Sequence, residues 1–170
     1  MPLLALALTV FAVTARAPAE EVFLPPVEFI TQAFDGAPPP PRKLWVSPEL
    51  DARIRAILGV SLPGLRQRYW HQGERSAWVL EAIGRDRPIT AGFVIDNGQL
   101  VRTAILIYRE SRGAEVRYPF FTDQFTGASL AAEDALDRSI DGITGATLSV
   151  RAITGLSRVA LLLDGASKTE

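Results

Sequence analysis

The chain has 170 residues, 48% of them hydrophobic, and its 18 Lys and Arg nearly balance 19 Asp and Glu. That length suits one domain with a real core and some residues to spare, and the balanced charge gives no electrostatic reason to expect nucleic acid or an anionic membrane surface. With no cysteine and His71 as the only histidine, disulfides, thiolate metal sites, iron–sulfur clusters, c-type haem attachment and multi-histidine metal centres are excluded, so any redox chemistry needs an organic cofactor.

The first residues read as a leader. Leu3 to Ala15 is almost wholly apolar, and Ala17-Pro18-Ala19 places small residues where a signal peptidase cuts. A helix of that length spans roughly 20 Å, short of a ~30 Å hydrocarbon core, so a cleaved signal over residues 1–19 is expected rather than an anchor. No Lys or Arg precedes the apolar run, which departs from the usual signal pattern.

Pro25 to Phe34 predicts a short helix opening at a proline pair, ended by Asp35-Gly36, with Pro38 to Pro41 as an extended connector. Leu44-Trp45-Val46 fits a short strand. Ser47-Pro48-Glu49 is a helix start, with a capping hydroxyl, proline at the first helical position and an early acid; Leu50, Ile54, Ile57 and Leu58 share one face, and Gly59 is the stop.

Leu65–Trp70, Ala77–Ile83, Ile89–Ile95 and Leu100–Tyr108 are rich in β-branched and aromatic residues, and Asp96-Asn97-Gly98 is a hairpin signal. Strands that follow one another without intervening helices predict an antiparallel sheet. Tyr118–Phe125 is aromatic and irregular, and Ala131–Leu136 predicts a brief helix. Val150, Ile153, Leu156, Val159, Ala160 and Leu163 recur at helical spacing from about Ser149 to Leu163, with Asp164-Gly165 as the expected terminator. The fold class is therefore α+β, an antiparallel sheet with packed helices in a single domain after the leader.

Thr144-Gly145-Ala146-Thr147 stands immediately before that last helix. The free N–H groups and the dipole of a helix start favour an anion, small residues allow a ligand close to the backbone, and Thr147 and Ser149 supply hydroxyls. The same residues also suit an ordinary helix cap, and the pattern alone leaves both readings open.

Asp141-Gly142-Ile143-Thr144-Gly145-Ala146-Thr147 resembles the flavinylation pattern Asp-x-x-(Ser/Thr)-Gly-Ala-Thr of the FMN-binding domain family. That family includes the flavin-bearing C subunit of the sodium-pumping NADH:quinone oxidoreductase and the corresponding subunit of the Rnf complex. Ile95–Val101, Tyr108–Val116 and Phe121–Gly127 are similar to further stretches of the family, and the resemblance covers roughly residues 77–163. It implies an FMN-binding domain over 77–165, preceded by a lead-in at 20–76. It also implies an exported, periplasmic electron-transfer flavoprotein in which a flavin transferase, drawing on FAD, esterifies the phosphate of FMN to Thr147.

The site implied by the resemblance comprises Asp141, Thr144, Gly145, Ala146 and Thr147, joined by Ser149, Arg109, Glu110 and Phe125. Arg109 would favour a reduced, anionic flavin ring, with Glu110 and Glu115 beside it; the alternative for these charges is an ion pair at a strand end. Phe120, Phe121 and Phe125 would stack on the ring or serve as core. Trp45, Trp70 and Trp78 are assigned to the core or to strand faces. No residue is assigned a catalytic or metal-binding role. The redox partner is expected to be another protein, such as a membrane reductase. Alternatives are an FMN-dependent reductase of a small substrate, a module holding FMN non-covalently and a cofactor-free interaction domain. A hydrolase has only His71 as its candidate base.

Overall fold

The computed structural model describes residues 20–169. The expected leader, residues 1–19, lies outside the described residues. Six strands form one antiparallel sheet: β1 (Glu21–Val22), β2 (Arg42–Trp45), β3 (Arg66–Gln72), β4 (Arg75–Ile83), β5 (Pro88–Asp96) and β6 (Gln99–Tyr108), in the order β1-β6-β5-β4-β3-β2. Four helices accompany them: α1 (Pro26–Ala33), α2 (Pro48–Leu58), the single-turn α3 (Pro119–Thr122) and α4 (Thr147–Ser167). The expected α+β architecture is what the chain adopts.

Alternation along the strands gives the sheet two apolar faces, because successive side chains point to opposite sides. Tyr69, Trp78, Leu80, Ala91, Phe93, Ile95 and Tyr108 join one cluster with Leu50 and Ile54 of α2 and Ile153, Leu156, Val159 and Ala160 of α4. Trp78 is fully buried and stacks on Tyr69 at a ring separation of 4.7 Å. Ala77, Val94 and Leu106 face the other way, beneath Phe29, Ile30, Ala33 and Phe34 of α1. Each large side chain buried in this manner contributes about 2–3 kcal/mol.

The residues before 77 are part of the same sheet. β3 pairs with β4 from Tyr69–Trp78 to Gln72–Arg75, and β2 extends the sheet beyond β3. Helix α2 begins as its sequence dictates. Ser47 Oγ accepts the Leu50 N–H at 3.2 Å, and Gly59 closes the helix in the left-handed region at φ 80°.

Three local expectations give way. The last helix starts at Thr147 and runs through Asp164-Gly165 to Ser167. Asp164 does not terminate it because its side chain is on the buried face. It is only 2% exposed, accepts Ser76 Oγ at 2.6 Å and pairs with Lys168 Nζ at 3.2 Å. The brief helix expected over Ala131–Leu136 is a single 3₁₀ turn, Ala132–Asp134, flanked by a bridge between Leu130 and Leu136. Within the aromatic run, Pro119 opens α3, a turn that buries Phe121.

Candidate functional site at the start of the last helix

The approach to α4 is shaped by Gly145, whose φ of +84° lies in the left-handed region that a side chain disfavours. Ala146, buried at 3%, is the residue from which the helix departs. Its carbonyl accepts the Val150 N–H at 2.9 Å, closing the first helical turn. No side chain caps this helix. The N–H groups of its first turn are left for another acceptor, and partial positive charge accumulates there. Thr147 is the first helical residue, and its side chain is exposed.

This helix start opens into a cleft of about 240 Å³, lined by Gly145, Ala146, Thr147, Leu148, Ser149, Arg85 and the segment Glu110-Ser111-Arg112. Three separate pieces of chain meet here: the β4–β5 turn, the loop after β6 and the start of α4. Glu110 ties the first two together. Its Oε1 accepts the backbone N–H groups of Arg85, Asp86 and Arg87 at 2.5, 2.7 and 2.9 Å. Burial pushes the Glu110 carboxyl up, but those N–H donors and the Arg85 charge outweigh it, and the group ionises below its ordinary value.

Tyr108 ties the second piece to the third. Its hydroxyl donates to the Arg112 carbonyl at 2.5 Å and lies 2.9 Å from Ser149 Oγ. Burial raises the Tyr108 pKa, assisted by the charges of Glu110 and Glu115 and opposed by the Ser149 contact. Gly113 has φ +87°, and a Cβ there would stand 2.9 Å from Tyr108 Oη and 3.0 Å from Ser149 Oγ. Only glycine fits beside this link. The Glu110 carboxylate is turned onto the N–H groups of the β4–β5 turn, and Arg85 and Arg112 are the cations that line the cleft.

The structure brings Gly145, Ala146, Thr147, Ser149 and Glu110 together. Ser149 is buried and engaged by Tyr108, so it braces the cleft rather than offering a free hydroxyl. Asp141 and Thr144 are exposed in the segment leading to the helix, where the Asp141 N–H donates to Gln124 Oε1 at 2.7 Å.

Arg109 and Phe125 are not in the cleft. The Arg109 guanidinium meets Glu20 at 2.9 Å, Thr90 Oγ1 at 3.0 Å, the Pro88 carbonyl at 3.3 Å and Glu81 at 3.6 Å. It serves as an ion-pair hub at the strand end. Phe125 is fully buried and meets Phe121 edge to face at 5.4 Å, which makes both of them core. Phe120 is exposed beside Tyr118 and is not among the residues that line the cleft. Arg85 was not singled out from sequence, and Tyr108, Arg112 and Gly113, within the family-like stretch Tyr108–Val116, were given no role there. A polar Gly84-Arg85-Asp86-Arg87 turn between two strands was the available signal for the first of them.

Among the described residues no group of His, Asp or Glu is arranged to hold a metal, and no helix is long and apolar enough to cross a membrane. Fold and cleft together define a small α+β domain that offers an uncapped helix start, two arginines and a reachable hydroxyl to an anionic ligand. Residues 84–162 match the family model of the FMN-binding domain, and this match supports an FMN-binding flavoprotein. Comparison with curated proteins and with solved structures gives no match.

Proposed function

We propose that this protein is an exported electron carrier holding FMN as a phosphoester on Thr147. The observation that carries the reading is the state of Thr147: it stands first in a helix that no side chain caps, with its own side chain exposed in the cleft. A threonine acting only as a cap would sit one position earlier and spend its oxygen on an N–H of the first turn. The cleft suits the phosphate end of FMN, which the free N–H groups and the Arg85 and Arg112 side chains would hold.

Attachment requires a flavin transferase. Thr147 Oγ bonds to the FMN phosphorus of FAD, the phosphoanhydride bond breaks, AMP leaves and the hydroxyl proton is released. When bound, the flavin supplies one- or two-electron transfer, and the ester leaves its ring free for that chemistry. Covalent attachment suits a protein working in the periplasm, where dilute FMN would not keep a weak site filled. The redox partner is a second protein, of which a membrane reductase is the kind that fits an exported carrier.

Intact-mass and peptide mass spectrometry of protein exported from a host with an active flavin transferase tests this directly. The expected result is a gain equal to FMN minus water, located on the peptide containing Thr147 and absent from Thr147→Val. An unmodified Thr147 beside a flavinylated control protein would refute it.

A further inference from the structure

A second groove begins where the Thr147 cleft ends. It has a volume of about 390 Å³ and runs between the end of α2, the end of β4 and the first turns of α4. Leu148 lines both hollows, and Gly84 of the groove adjoins Arg85 of the cleft. Its walls carry Ile57, Leu58, Val60, Ile83 and Leu148, and the acid in its lining, Glu81, is already engaged by Thr90 Oγ1 at 2.5 Å and Arg109 at 3.6 Å. Val60 is 59% exposed, Ile83 58% and Leu148 45%, so three large apolar side chains face water around a single hollow. A contiguous exposed apolar patch beside a ligand cleft points to something that covers it. Arg151 closes the rim and shares a helix face with Thr147, four residues away.

This groove exists because α2 comes unusually close to α4. A Cβ at Gly155 would lie 2.8 Å from Leu58 Cδ2, so the bare Gly155 backbone seats Leu58 and brings Gly59-Val60-Ser61 alongside the start of α4. The wall from Ile57 to Ser61 lies outside residues 84–162.

We infer that this groove is the seat of the flavin ring tethered at Thr147, with Val60, Ile83 and Leu148 against the ring and Arg151 at its edge. The inference rests on the proposed attachment to Thr147. The occupant follows from continuity: a ring on a ribityl tether starting in the cleft meets this apolar hollow next to its anchor. Arg151 would favour negative charge on the reduced ring, the role first considered for Arg109.

The test uses the full chain, exported and flavinylated, with Val60→Ser, Ile83→Ser and Phe120→Ser variants. All three positions are more than half exposed, so the fold is expected to survive, and a thermal melt checks it. Adduct mass, flavin fluorescence and its quenching by iodide are read together. Expected are full adduct in every variant and a ring that is brighter and severalfold more quenchable in Val60→Ser and Ile83→Ser, with Phe120→Ser like the parent. A complete adduct whose fluorescence ignores Val60 and Ile83, or responds to Phe120 instead, overturns the groove while sparing Thr147. Parent protein without adduct overturns both.

Discussion

Tyr108 Oη lies 2.9 Å from Ser149 Oγ, and through this contact the loop after β6 is held against the first turn of α4. The same hydroxyl donates to the Arg112 carbonyl, so one phenol positions an arginine-bearing loop and a helix start together. Tyr108→Phe keeps the buried ring and removes both bonds. A loss of about 1–2 kcal/mol is expected, read as a lower urea midpoint at unchanged slope. Under the proposed attachment to Thr147, flavinylation should slow as well, because the cleft loses its brace; Ser149→Ala should show the smaller effect, since the bond to Arg112 survives.

Thr147 separates two behaviours that a capping residue would merge. Because its side chain makes no cap bond, Thr147→Val should leave the thermal midpoint of flavin-free protein essentially unchanged. A cap lost by the same change would cost about 1 kcal/mol. Under the proposed attachment, Thr147→Ser should retain the adduct. Differential scanning fluorimetry on flavin-free protein, paired with mass spectrometry on exported protein, reads both.

Glu110 should make the turn beside the cleft sensitive to acid. Its carboxyl ionises lower in the folded chain than in the unfolded one, so its stabilising effect is complete above the ordinary value of 4.5 and is lost as pH falls through the folded value. Stability measured from pH 6 downward should therefore fall less steeply in Glu110→Gln than in the parent. Glu110→Ala, which strands three N–H groups at a partly solvated site, should cost about 2 kcal/mol at neutral pH.

Asp164 anchors the far end of α4. Trp78 Nε1 donates to Ser76 Oγ at 2.9 Å, and Ser76 Oγ donates to Asp164 Oδ1, giving a buried chain of bonds from sheet to helix. Asp164→Ala should cost about 2 kcal/mol, because Ser76 loses its acceptor at a buried position while Lys168 keeps Glu74 at 3.5 Å. The near-ultraviolet circular dichroism of Trp78 should report the loss.

Much of this arrangement was legible in the sequence where local chemistry decides it. Ser47-Pro48 opens α2 and Gly59 closes it in the left-handed region; Asn97-Gly98 turns β5 into β6. The Asp-x-x-Thr-Gly-Ala-Thr run pointed to the helix start that lines the cleft because its residues are consecutive. What the sequence concealed depends on partners far along the chain. Asp164-Gly165 has the composition of a helix end, yet Ser76, 88 residues away, makes it a helix interior. Arg109 and Glu110 are neighbours on an extended segment, where alternation sends one to Glu20 and the other to the β4–β5 turn. β1, only two residues long, carries no pattern of its own and forms by pairing Val22 with Ile107.

The prolines before β2 have a consequence beyond spacing. Pro38 to Pro41 lead directly into Arg42 and Lys43 on the outermost strand, so one rim of the sheet combines missing N–H donors with like charges. At the opposite rim β1 covers only Ile107 and Tyr108, and the turn at Gly127-Ala128 bonds Leu100 further along β6. Neither border presents a long, flat, donor-rich template on which a foreign strand could lay itself down. A protein built this way can be held at high local density with little tendency to stack into fibrils.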